Sequence, residues 1–240
     1  MRYIYTLITI GALGLSAFAA YFFFGSPGED PLVTELTRFE ADVGKWRGGA
    51  ENGSANAQFG LARVLETANP AFRNYAKAAE YYRKAADQGH VEAQHALGLL
   101  HVRGLGVSQN YHRASEWFRL AANFGKHAGA EFALGELYFN GRGVPHSYGQ
   151  AIGWYRKAAN KGHPVAQHVL GLMYREGWGV DQDLVEAFKW LSLAIRGRDR
   201  VLAHDAKSDP VREREKLLAT MNQWQIDQAD KLTGAWRPQR

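Results

Sequence analysis

The chain contains no cysteine. Disulfides, thiolate metal sites and cysteine nucleophiles are therefore excluded, and the redox compartment is left open. Other chemical signatures are missing too. There is no H-x-x-x-H or H-E-x-x-H spacing to seat a metal and no G-x-S-x-G elbow, S-x-x-K or Walker loop. Charge of one sign is scarce. The formal balance is only +5 over 240 residues, or +4 without Arg2, and no dense Lys/Arg cluster stands ready to neutralise several phosphates. A nucleic-acid partner is not expected. No metal, cofactor or catalytic residue is expected either.

Long apolar runs are also rare, with one exception. Ile4 to Phe24 carries no charge over 21 residues, about the length a helix needs to cross a bilayer. Arg2 precedes it, and Glu29 and Asp30 follow, which predicts a cytoplasmic amino end and places the rest of the chain across the membrane. The competing reading is a signal peptide cleaved near Ala17-Phe18-Ala19, giving a secreted or periplasmic protein. The run is long for a signal peptide, and such a cut would leave Tyr21 to Phe24 at the new terminus. We therefore expect an uncleaved anchor. Either way the protein enters the export route, and the expected setting is the bacterial inner membrane, crossed once, with the remainder periplasmic.

What the chain has in abundance is self-similarity. Gly98, Gly135 and Gly171 lie 37 and 36 residues apart, as do Gly106, Gly143 and Gly179, and Trp117, Trp154 and Trp190. Three independent markers at one period indicate a repeat array, in which each unit buries its core against the next. Each unit reads as two helices joined by a G-x-G turn, whose glycines allow φ > 0. Paired alanines (Ala85-Ala86, Ala121-Ala122, Ala158-Ala159) let helices approach closely, and Gly89, Gly125 and Gly162 are expected to end the second helices in the left-handed conformation. The first unit has Ala68 and Pro70 in place of G-x-G, so its turn needs another geometry.

The third unit carries the pattern in full: Ala130, Leu134, Gly135, Tyr138, Gly141, Gly143 and Val144, then Ala151, Trp154, Tyr155, Ala158, Ala159 and Gly162. This pattern resembles the SEL-one-like repeat (SLR), a relative of the tetratricopeptide repeat. The second unit departs with His101 at the Tyr position, and the fourth with Leu191 and Leu193. The resemblance implies an all-α fold, a right-handed α–α solenoid with a concave surface, acting as an adaptor between proteins. The expected division is 1–25 anchor, 26–31 linker, 32–54 degenerate half-repeat and four units at 55–90, 91–127, 128–163 and 164–199. Residues 200–240 follow as capping helices and tail, opening with a polar bend.

Residues the repeat does not need are the candidates for function. On the first helices these are Phe59, Arg63, His95, Leu99, Arg103, Phe132, Glu136, His168, Leu172 and Arg175. Aromatic, Leu and Arg side chains on a concave array suit a protein or peptide partner. The bland reading is that Phe59, Leu99, Phe132 and Leu172 complete the core. The expected function is a membrane-anchored, non-enzymatic scaffold; the alternative is an envelope enzyme or glycan-binding protein acting on peptidoglycan.

Overall fold

A computed structural model describes residues 31–239, and all the regular structure among them is helical. The apolar run at residues 4–24 lies outside the described residues. Within them, no helix is long and apolar enough to cross a membrane.

Four helix pairs form the body of the chain. The first helices are α2 (Ala55–Thr67), α4 (Val91–Arg103), α6 (Ala128–Asn140) and α8 (Pro164–Glu176); the second are α3 (Tyr75–Asp87), α5 (Tyr111–Asn123), α7 (Tyr148–Asn160) and α9 (Leu184–Ala194). Each helix packs on the one before and the one after, so the core runs continuously along the stack. A long lead-in helix, α1 (Pro31–Glu51), packs on α2 as a second helix would. Its Trp46 lies 36 residues before Tyr82, and its closing Gly53 has φ +86°, matching Gly89 at φ +85°.

Local sequence explains the helix ends. Second helices begin at Asn74, Asn110, Ser147 and Asp183, whose side chains accept backbone N–H groups of the first turn. First helices end at Gly104, Gly141 and Gly177, all left-handed (φ 64–76°). The second glycine of each turn does something else. A methyl at Gly106 would lie 2.2 Å from the Tyr75 carbonyl, and one at Gly143 would lie 2.4 Å from that of Tyr111. These glycines are therefore where one unit's turn abuts the preceding unit's second helix.

Inside the units, an aromatic or Leu of the second helix covers a glycine of the first. Phe118 packs on Gly98, Tyr155 on Gly135 and Leu191 on Gly171. Between units, a buried glutamine closes the junction: Gln58, Gln94 and Gln167 donate to the carbonyls of Ala50, Ala86 and Ala159 at 3.1–3.3 Å.

Two expectations change. Gly125 does not take the left-handed conformation; Lys126 does, at φ +50°. A methyl on Gly125 would collide with Val91 at 2.2 Å, so that glycine is needed for space, and the inserted Lys126 makes the turn. The polar stretch after Arg196 is not a simple bend. A 3₁₀ turn (Ile195–Gly197) leads into α10 (Arg198–His204), then α11 (Pro210–Leu218) and α12 (Gln223–Ala235). Val201 is buried and anchors α10. Asp209 caps α11 and Asn222 caps α12, the latter in a full capping box with Gln225.

Candidate partner-binding face

Along the side lined by the first helices runs a ladder of ring contacts. Phe59 stacks on His90 at 4.5 Å, His95 meets His127 at 4.5 Å, and Phe132 stacks on His163 at 4.8 Å. The partner in each rung is the N-cap of the next first helix: Nδ1 of His90, His127 and His163 accepts from Ala93, Ala130 and Ala166 at 3.1–3.3 Å. A ring that accepts at Nδ1 must be unprotonated there. Burial holds His163 down to about 4 and His95 down to about 3, with nearby positive groups adding to the depression, so the cap and its rung stay neutral. The capping role of these histidines is absent from the expectations drawn from the sequence. The signal was there, since each directly precedes a first helix.

The ten candidate residues divide by exposure. Arg63 and Arg103 are exposed, and the Arg63 guanidinium sits 5.9 Å from the Phe59 ring. Phe59, Leu99, Phe132 and Leu172 are half-buried, each packed against a core cluster, so they finish the core and still show an edge. His95 is half-buried on its rung. Glu136 accepts the hydroxyl proton of Tyr155 and is tied into the unit. Arg175 is held between Glu176, at 2.6 Å, and Glu213 of α11. His168 is only 2% exposed, and neither ring nitrogen has a hydrogen-bond partner among the described residues.

That asymmetry comes from the C-terminal segment. Helices α11 and α12 pack on α9, closing the end of the stack. Helix α10 lies instead on α8, and its His204 ring meets Phe132 of α6 edge-on at 5.4 Å. The segment thus lies over unit four on this side and reaches unit three only at Phe132, while Phe59, Arg63, Leu99 and Arg103 of units one and two lie clear of it.

Other ties were not foreseen. Arg119 and Arg156 donate to the hydroxyls of Tyr138 and Tyr174, each at 2.8 Å, linking one unit's second helix to the next unit's first. In unit three, Glu131 stands where the other units have the junction glutamine and pairs with Lys161 at 2.5 Å. At the opposite edge, Tyr148 and Trp178 are partly exposed, with rings 6.2 Å apart and nearly parallel.

Two open hollows accompany these surfaces. One of about 360 Å³ lies between α1 and the glycine-free turn, rimmed by Glu35, Arg38 and Asp42; another of about 440 Å³ lies beside Arg175 and Glu213. Among the described residues, no group of three metal-ligating side chains converges.

Comparison with known proteins agrees with this architecture. No curated protein matches the sequence. Among solved structures, a protective antigen of uropathogenic Escherichia coli strains, displaying an SLR fold, superposes with a TM-score of 0.69 at 32% identity over 81% of this chain. The chain spans 40% of that antigen's length. A Sel1 repeat protein from Oxalobacter formigenes superposes with a TM-score of 0.61 at 28% identity, covering 78% of this chain and 75% of that one. Proteins of this repeat generally mediate contacts between proteins. The model of the Sel1 repeat matches at residues 55–90, 91–123, 128–163 and 164–199, more than half of the sequence, and the chain belongs to the Sel1 repeat family.

Proposed function

We propose that this protein is a non-enzymatic scaffold, held at a bacterial inner membrane by residues 4–24, whose first-helix face binds a protein or peptide in the periplasm. The observation that carries the reading is the open pair of units: exposed Arg63 and Arg103 flank the half-buried Phe59 and Leu99. Cations beside apolar edges, on an array of packed helices, are the composition of an interface core with its rim. The apolar run, with Arg2 before it and Glu29 and Asp30 after it, supports the anchor and its orientation.

The test is crosslinking of the membrane-embedded protein followed by mass spectrometry. The wild type is expected to recover a defined partner that Arg103→Glu and Arg63→Glu lose, while the two variants fold normally. Identical recovery from all three would overturn the site. A second reading, glycan binding, is favoured by the exposed Tyr148–Trp178 pair, since aromatic faces stack on sugar rings. Retention of muropeptides by the ectodomain, lost on Trp178→Ala, would support it.

A further inference from the structure

Helix α10 is placed where a repeat has no use for it. The pattern of the stack would put the first helix of a fifth unit against α9, and α11 and α12 pack there instead. The seven residues of α10 instead lie on α8 and reach α6 through His204 and Phe132. The hold is slight. Val201 is buried and Leu202 half-buried, while Arg198, Asp199, Arg200, Ala203 and His204 are exposed. Beyond that turn, the segment is fixed at its ends by Gly197 against Pro164 and by the Arg198–Asp209 ion pair (2.6 Å).

The surface beneath also carries unmet polar demand. His168 of α8 is buried with both ring nitrogens unbonded among the described residues, and it feels the charges of Glu213, Asp205 and Asp209 from the α10–α11 region and of Arg175 from its own helix. Enclosing an imidazole without a hydrogen bond opposes closure. Arg175 is matched by a carboxylate, that of Glu213, from the same C-terminal segment. That carboxylate belongs to α11, so the seat of α10 itself accepts an aliphatic side chain and leaves one hydrogen-bonding demand unanswered.

We infer that residues 198–204 occupy in cis a part of the first-helix groove that a partner takes in trans, and that this partner is a short helix. It presents one aliphatic anchor where Val201 sits and a hydrogen-bonding group to His168. This rests on the scaffold reading and specifies its ligand. Displacement of α10 joins the covered part of the groove at α8 to the neighbouring first helices.

The experiment uses the full-length protein and a fluorescein-labelled synthetic peptide of residues 195–209. Val201→Asp, which keeps the segment but removes its anchor, is expected to bind the peptide at least about tenfold more tightly than wild type. A peptide that itself carries Val201→Asp should not bind. No gain in a folded Val201→Asp protein overturns the inference. Should that variant fold poorly, hydrogen exchange on the wild type decides: amides of 198–204 are expected to exchange at least about tenfold faster than those of α8, and equal protection overturns the inference. Partner recovery separates the two levels. A partner lost on Arg103→Glu without any peptide exchange sinks the cis occupant alone. Peptide exchange with no partner recovered sinks the scaffold reading alone.

Discussion

Lys161 Nζ donates to Glu131 Oε1 at 2.5 Å, and in unit one the equivalent residues, Gln88 and Gln58, make the equivalent contact at 2.8 Å. In units one and three, the residue that caps the second helix thus reaches back to the junction side chain of the same unit. Unit three makes this link with charges, although Glu131 is almost fully buried and burial raises its pKa. Lys161 also donates to the Lys126 carbonyl at 2.8 Å, so one ammonium ties together the extra residue of this junction.

Removing Lys161 should leave a buried carboxylate without its partner. Breaking such a pair from one side costs about 3 kcal/mol. Urea unfolding of Lys161→Ala is expected to show that loss. The Lys161→Ala/Glu131→Gln double variant should recover most of it, because a glutamine amide at this junction can donate to a carbonyl as those of Gln94 and Gln167 do.

Acid should destabilise the stack well before it protonates most carboxylates. Burial lowers His95 to about 3 and His163 and His168 to about 4, and it lowers His101 and His127 as well. Each is neutral in the folded state and free to protonate near pH 6.5 when unfolded. Their contribution is therefore complete above that pH and drains away as the pH falls towards 4. For His168 alone the loss is about 2–3 kcal/mol at pH 4.5. Glu131, with its raised pKa, works in the opposite sense and softens the slope. Unfolding midpoints at pH 7.5 and 4.5 check this, and His168→Phe should flatten part of the difference.

The turn glycines should tolerate nothing larger. Gly143→Ala combines φ +68° with a methyl 2.4 Å from the Tyr111 carbonyl carbon. A loss of at least about 2 kcal/mol is expected in thermal melts. Gly153→Ala on α7, where a methyl meets nothing within 4 Å, should instead stabilise by about 0.5–1 kcal/mol.

Phe124 holds the position of Gln88 and Lys161 but points outward, 83% exposed, and Gln94 Oε1 beneath it is buried without a partner among the described residues. Phe124→Gln is expected to raise stability by about 1 kcal/mol through a new bond to that oxygen. Phe124→Ser, too short to reach, should stay within about 0.5 kcal/mol of wild type. Chemical denaturation of the three proteins makes the comparison.

Most of the body was legible in the sequence, because Gly98, Trp117 and their successors recur at one spacing and a repeat must meet the same needs each time. The candidate face was legible only in part. Periodicity shows which side chains the repeat leaves unassigned, such as Arg63 and Arg103, but it does not show what the end of the chain folds across. His168 looks like His95 in sequence; only the path of residues 197–213 makes one buried and the other half-open. The buried Glu131 was invisible for a related reason: its partner lies thirty residues on, in a cap whose reach depends on tertiary structure.

The contact of Gly106 with Tyr75 and of Gly143 with Tyr111 makes each turn a spacer. At these turns the tilt of a unit on its predecessor is constrained where backbone touches backbone. An error there would be inherited by every later unit, as a badly cut stone throws off an arch. Helix faces are thus free to vary for recognition while curvature is held at a few glycines. New specificities can be drawn on this scaffold without redrawing its shape.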